Sequence, residues 1–136
     1  MKYFVTAILL ITTFFTGCQR VDPNAPTRPR LVVEVRAQYE GENIHLERCY
    51  IDDEKVRAVL DYIRSLDPYG TVAENSIVAD EQAWIELIFS DGTTKCYHQY
   101  GAEYLRCGDG DWQNITKERG TELPVLLGMM ESDKKF

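Results

Sequence analysis

Hydrophobic and polar residues alternate from Leu31 to Tyr39, which is the two-residue period of a half-buried β-strand. Gly41-Glu42 then offers a two-residue turn, and the stretch from Ile44 to Tyr50 predicts a returning strand. In that register Arg36 lies opposite Glu47, which is a favourable cross-strand pair. The pattern therefore predicts an antiparallel hairpin at the start of the domain.

The next segment changes to a helical period. Asp52 is a good N-cap, and apolar residues then recur at the i, i+3, i+4, i+7 spacing of one helix face. Pro68 and Gly70 end the helix, and residues 71–82 read as a polar connection with at most a short strand at Ile77-Val78. We expect this helix to pack its apolar stripe on a sheet. The stripe consists of Val56, Val59, Leu60, Ile63 and Leu66.

Four more strands and a second helix follow. Asp91-Gly92 is a strong hairpin signal between strands at 84–89 and 93–100, and Gly101-Ala102 is the next turn. Strands at 103–107 and 112–115 complete a meander, and Thr121 is the expected N-cap of a final helix. The predicted fold class is α+β, in the order β-β-α-β-β-β-β-α. About six strands form an antiparallel sheet with two helices packed on one face.

The first 17 residues differ in composition from everything after them. Lys2 precedes an uncharged apolar run from Tyr3 to Phe15, which is typical of a secretory signal peptide. The run is shorter than the roughly 20 apolar residues that a membrane span needs. The same composition also fits an ordinary signal peptide with an incidental cysteine at position 18, or a buried core helix.

The sequence Phe15-Thr16-Gly17-Cys18 resembles the lipobox of bacterial lipoproteins, although Phe15 stands where the lipobox usually has Leu. The resemblance implies a signal peptide at 1–17 and an acylated Cys18. The proline-rich, polar composition of the residues that follow predicts a tether, which with Cys18 spans 18–30, and the remaining length predicts one α+β domain at 31–136. At about 3.1 Å per residue the tether would span roughly 35 Å. The acyl chains, palmitate among them, would hold the protein on the extracytoplasmic side of the cell membrane or outer membrane.

Charge narrows the choice of partners. The chain has a net charge of −7, which argues against nucleic acid and against adhesion to anionic lipid by charge. Membrane attachment must then come from the acyl group on Cys18. We therefore predict the membrane and an envelope protein or component as partners, and no nucleic acid.

Three cysteines remain if Cys18 is acylated. A two-residue turn at Gly101-Ala102 would place Cys96 directly opposite Cys107, within the range that a disulfide bridges. The sequence is compatible with a disulfide and with two reduced cysteines, because a single bulge would move the two sulfurs to opposite faces. Cys49 would then be an unpaired thiol that fills space at the end of a strand.

The chain carries little sign of catalytic chemistry. It contains no Gly-rich phosphate loop and no GxSxG motif. His45 shares a strand face with Glu47, and His98 shares one with Cys96. Two histidines without a CxxC or HExxH pattern make a weak ligand set. We predict no catalytic residue, no metal and no cofactor.

Aromatic residues suggest a binding surface instead. If Ile85, Leu87 and Phe89 face the helices, the other sheet face carries a cluster typical of partner-binding surfaces. The alternative is that these residues form ordinary cross-strand pairs. The predicted partner-binding residues are Trp84, Tyr97, Gln99, Tyr104 and Arg106.

Residues 54–115, a helix followed by an aromatic-rich hairpin, resemble a small family of bacterial lipoproteins of uncharacterised activity. The resemblance implies no reaction. We expect a non-enzymatic, membrane-anchored binding domain at the cell envelope. The alternatives are an inhibitor or accessory subunit of an envelope enzyme, and a small thiol or hydrolytic enzyme that uses Cys49 or His98.

Overall fold

Seven antiparallel strands form one sheet in residues 30–135, the part of the chain that the computed structural model describes. The sheet order is β2-β1-β4-β5-β6-β7-β3. Cys18, the signal peptide and residues 18–29 of the tether lie outside the described residues. The strands are β1 Val32–Glu40, β2 His45–Tyr50, β3 Tyr69–Val72, β4 Gln82–Phe89, β5 Thr94–Tyr100, β6 Tyr104–Cys107 and β7 Trp112–Asn114.

Three helices accompany the sheet: α1 Asp53–Ser65, the four-residue α2 Lys117–Gly120 and α3 Glu122–Met129. The predicted α+β class is confirmed. The strand count is seven instead of six, because residues 69–72 pair with β7 at the sheet edge. Ile77 and Val78, for which the sequence allows at most a short strand, form none, and a 3-10 turn at Glu74–Ser76 precedes them.

Helix α1 begins where its sequence predicts. The Asp52 carboxylate accepts hydrogen bonds from the backbone N–H groups of Glu54 (3.0 Å) and Lys55 (3.3 Å), so it satisfies two of the free donors of the first turn. Thr121 is the N-cap residue of α3 as predicted, but its hydroxyl donates to the Glu118 carbonyl and makes no capping hydrogen bond. The α1 stripe packs on the sheet together with Leu123 and Leu127 of α3.

The last residues of the described chain tie α1 to β2. The Asp133 carboxylate accepts from the backbone N–H groups of Ile51 (2.8 Å) and Asp52 (2.9 Å) and pairs with the Lys55 ammonium. Its backbone N–H donates to the Cys49 carbonyl at 2.9 Å. These contacts hold the C-terminal segment against the start of the helix and lower the pKa of Asp133 to about 2.

The first hairpin has a longer turn than predicted. Glu40 pairs with His45, so residues 41–44 form a four-residue loop that the Gly41 N–H closes onto the Ile44 carbonyl. Arg36 therefore lies opposite Cys49 and not opposite Glu47. The register moves by two residues, which leaves the paired residues 35–40 and 45–50 on their predicted faces. A bulge between Val32 and Glu34 breaks the alternation before them, and Val33 is 47% exposed although the pattern predicts it to face inward.

The next two hairpins each have a three-residue loop where two residues were predicted. Phe89 hydrogen-bonds to Thr93 around Ser90 to Gly92, and Gly92 has a φ of 84°. Tyr100 pairs with Tyr104, and Gly101 has a φ of 54°. Three-residue hairpin loops commonly contain a glycine in the left-handed conformation. Here it is the last residue of the first loop and the first residue of the second. Each extra residue inverts the faces of the strand that follows.

The cysteine pairing changes for this reason. Cys107 lies opposite Tyr97, so successive side chains place Cys96 and Cys107 on opposite faces of the sheet. Cys49, Cys96 and Cys107 are all free thiols in the structure. The prediction that Cys96 and Cys107 oppose each other directly is wrong by one residue.

Candidate functional site

The sheet has one face under the helices and one face away from them. We call the second the open face. It carries three of the predicted partner-binding residues, Trp84, Tyr104 and Arg106. The extra residue in the loop before β5 turns Tyr97 and Gln99 toward the helices, so the prediction that they lie on the face away from the helices is wrong.

Gln99 and Tyr97 belong to the packing on the helix side. Gln99 is 2% exposed and accepts a hydrogen bond from the buried Tyr62 hydroxyl. Its amide nitrogen donates to the Gly101 carbonyl at 2.9 Å and to the Gly120 carbonyl at 3.1 Å. Tyr97 is half-buried against the core. Gln99 therefore stabilises the fold from the interior, whereas Tyr97 packs on the helix side and is only partly buried.

Four rings on the open face form a cluster that we call the aromatic cluster: Trp84, His98, Tyr100 and Trp112. His98 lies at its centre, stacked on Trp84 with centroids 4.8 Å apart and planes at 15°. Its centroid lies 4.7 Å from that of Tyr100 and 5.1 Å from that of Trp112. The sequence contains two tryptophans, and both are in this cluster.

The residues between β3 and β4, which we call the crossing segment (73–81), pass over this face. Because β3 is the edge strand and β4 is central, the segment has to cross β7, β6 and β5. Glu74 reaches Arg106 at 4.0 Å, and the Glu81 carbonyl accepts from the Gly101 N–H at 2.7 Å. Trp112 is only 3% exposed although no helix covers its face.

Three buried nitrogens converge on the aromatic cluster without partners. Arg106 Nε, Trp112 Nε1 and His98 Nε2 have no hydrogen-bond partner among residues 30–135. The Arg106 guanidinium stacks over the Trp112 ring, with 4.8 Å from Cζ to the centroid. Buried donors of this kind are rare in proteins, and each one calls for an explanation. Arginine and tryptophan nitrogens can only donate.

The charge state of His98 follows from the same surroundings. Burial lowers the pKa of His98, and the positive charge of Arg106 lowers it further, while Glu74 acts in the opposite direction. The ring is therefore held toward its neutral form. The positive charge beside the aromatic cluster is therefore that of Arg106, which stacks on Trp112.

An open groove of about 380 Å³ lies beside the cluster, across β1, β4 and β5. Trp84 forms one side, Arg36 and Gln38 form the other, and Glu86 and Cys96 complete it. Arg36 is held by Glu34 at 3.0 Å. The groove combines an aromatic wall with both signs of charge, which suits a ligand with an apolar part and polar ends.

Cys49 does not have the surroundings of a reactive thiol. It is buried and donates its S–H to Glu34 Oε1 at 3.1 Å. Burial raises the pKa of Cys49, and the neighbouring carboxylate raises it further. A reactive cysteine needs the opposite shift, toward the thiolate. His98 lies three strands away in the sheet order.

His45 forms a surface contact, as its shared face with Glu47 predicted. Its ring nitrogens lie 3.1 Å from Glu47 and 3.6 Å from Glu40, all on exposed side chains. Within residues 30–135, no group of three or more His, Cys, Asp or Glu side chains is arranged to hold a metal ion.

A second groove, of about 550 Å³, lies between α1 and α3. Tyr62, Val125, Leu126 and Met129 give it a mainly apolar lining. The charged residues at its rim pair locally, with Arg119 at 3.4 Å from Glu122. It contains no unpartnered buried donor, so the open face has the stronger chemical signal.

No protein-family model matches the chain, and neither a curated protein nor a solved structure matches it. None of the helices between residues 30 and 135 is long and apolar enough to cross a membrane.

The sequence pattern located the open face but not its centre. His98, Tyr100 and Trp112 were not among the predicted site residues. Their alternation with Tyr97 and Gln99 on β5 is visible in the sequence, but which set faces the helices depends on one loop residue. The crossing segment covers the open face because β3 pairs with β7, and the sequence gives no local signal for that pairing.

Proposed function

We propose that this chain is a membrane-anchored lipoprotein whose domain is a non-enzymatic binding module at the cell envelope. In this proposal acylated Cys18 holds the protein on the extracytoplasmic side of the cell membrane or outer membrane. The Pro-rich tether then lets the open face meet a protein or an envelope component. The lipobox resemblance supports the anchor, and the open face supports the binding.

The observation that carries the binding proposal is the aromatic cluster with its three unpartnered buried nitrogens, of which Arg106 Nε and Trp112 Nε1 are obligate donors. Trp and Arg side chains are enriched at the centres of binding surfaces, where they contribute most of the affinity. The groove beside Trp84 adds Arg36 and Glu86, which can orient a partner. The thiol of Cys49 is buried and protonated, which favours binding over nucleophilic catalysis.

Affinity capture from membranes tests the binding part. The full, anchored chain should recover a specific partner, and Trp84→Ala should lose it because that substitution removes the aromatic wall of the groove. Leu31→Ala, which changes an exposed apolar side chain that lines neither groove, is the matched control and should recover the partner as well as the parent chain does. Equal recovery by Trp84→Ala and the control would contradict the proposal.

The anchor is tested separately. Growth with an alkyne-tagged palmitate analogue should label the parent chain and leave Cys18→Ser unlabelled. The Cys18→Ser variant should also leave the membrane fraction. Label on Cys18→Ser, or its full retention in membranes, would refute the assignment of Cys18 as the acylation site.

A further inference from the structure

We propose that the aromatic cluster is a carboxylate-binding site, in which Arg106 and Trp112 donate hydrogen bonds to a ligand carboxylate once the crossing segment moves aside. The inference rests on the proposed function, because it names the chemical class that the open face binds. Three observations on the described residues support it: the kind of unpartnered atoms, the position of Glu74, and the loose attachment of the crossing segment.

The chemistry of the unpartnered nitrogens requires a ligand that accepts hydrogen bonds. Arg106 Nε and Trp112 Nε1 can only donate, and His98 Nε2 is the third free nitrogen beside them. Because Arg106 is a cation, an anionic oxygen makes stronger hydrogen bonds there than a neutral carbonyl does. The guanidinium fork matches the two oxygens of a carboxylate.

Glu74 already presents a carboxylate to this site. Its Oε1 atom lies 4.0 Å from Arg106 Nη1, and its side chain is 76% exposed. An exposed ion pair at this distance contributes little to stability, so a better-placed carboxylate can replace it. The Glu74 contact thus indicates that the site accepts a carboxylate, and the 4.0 Å distance indicates that this one is bound weakly.

The crossing segment itself has few contacts that resist movement. Among its residues only Ile77 and Ala79 are partly buried, and Val78 is 87% exposed. Its firm attachment is at the far end, where Glu81 accepts from the Gly101 N–H and from the Tyr39 hydroxyl. Segments with so little buried surface open at low free-energy cost. A ligand can therefore reach Trp112 while Glu81 stays in place.

The test uses the full chain in detergent micelles with phenylacetate as the probe. Its ring can pack against the rings of the aromatic cluster while its carboxylate meets Arg106. Fluorescence reports directly, since Trp84 and Trp112 are the two tryptophans of the chain. We expect a saturable change with phenylacetate and at least about tenfold weaker binding of the neutral phenylacetamide, as charge-assisted bonds are about twice as strong.

Two variants with matched controls test the residues. Arg106→Gln should weaken phenylacetate binding at least about tenfold, and Glu74→Gln should strengthen it about two- to fivefold by removing the competing carboxylate. Arg119→Gln and Glu122→Gln break a similar exposed pair on the helix side, at 3.4 Å, and should change nothing.

Parent-like affinity in Arg106→Gln, or equal binding of phenylacetamide, would overturn the carboxylate assignment. If Arg106→Gln does not fold, the Glu74→Gln titration decides, and an unchanged affinity there refutes the proposal. Failure of phenylacetate binding with a Trp84-dependent partner still captured would remove the carboxylate assignment alone. Capture that does not depend on Trp84 would remove the proposed binding face itself.

Discussion

The hydrogen bond from Tyr62 to Gln99 should stabilise the fold measurably, and Tyr62→Phe tests it. Tyr62 is 5% exposed and Gln99 is 2% exposed, so solvent cannot replace the lost hydroxyl. The substitution leaves the Gln99 side-chain carbonyl without its donor. A buried acceptor without a partner costs about 1–3 kcal/mol, and we expect the free energy of unfolding to fall by that amount.

Urea unfolding followed by circular dichroism measures the change. The midpoint should fall while the slope with urea concentration stays constant, since the same surface is exposed on unfolding. For a domain of this size the loss corresponds to a melting temperature about 4–8 °C lower per kcal/mol. Tyr69→Phe is the matched control, because that side chain is exposed, and it should stay within about 0.5 kcal/mol of the parent chain.

The coupling between the two side chains can be measured as well. Gln99→Leu also removes the donor to the Gly101 and Gly120 carbonyls, so it should cost more than Tyr62→Phe. The double variant should lose about 1 kcal/mol less than the sum of the two single losses, as residues in direct contact do. A Tyr62→Phe chain as stable as Tyr69→Phe, or strict additivity in the double variant, would refute the reasoning.

Two further predictions concern stability. Gly120→Ala should cost about 3 kcal/mol or more in thermal unfolding, because its Cβ would lie 2.0 Å from the Ala102 carbonyl oxygen. Gly128→Ala, whose Cβ meets nothing within 4 Å in α3, should instead stabilise by about 0.5–1 kcal/mol, and a shared sign would contradict the packing described. Asp133 has a pKa of about 2 in the folded chain, below its ordinary 3.8, through the Lys55 ammonium first and then two backbone N–H groups. Its contribution to stability is therefore complete above about pH 4 and is lost as the pH falls toward 2. Acid unfolding of Asp133→Asn should show a flatter stability profile across that range, and an unchanged slope would count against the assignment.

The hydrophobic pattern predicted six of the seven strands and the helices α1 and α3, since alternation and helical spacing are local properties; it missed β3 and the four-residue α2. It could not settle the faces of β5. Asp91-Gly92 fits a two-residue turn, but Ser90 joins the loop and Gly92 takes the left-handed conformation. That single residue sends Gln99 toward the helices and His98 to the open face. A side-chain period of two makes strand faces sensitive to any odd error in loop length.

The same error occurs twice, and this explains why part of the site was predicted correctly. The loop after β5 also has three residues where two were expected, so it inverts the faces a second time. Tyr104 and Arg106 on β6 therefore lie on the open face as predicted. Tyr97 and Gln99 on β5, the strand between the two loops, do not. Agreement at β6 came from two errors of equal size that cancel.

The pairing of β3 with β7 decides what a partner can reach. It brings the end of β3 to the sheet edge, so the chain must return across the open face to enter β4. Trp112 is buried beneath that return, whereas Trp84 faces the open groove. A partner with a flat surface can meet Trp84 directly but cannot meet Trp112 unless the crossing segment moves. The two tryptophans thus separate the proposals: Trp84 is required for surface binding, and Trp112 responds only to a ligand that enters the aromatic cluster.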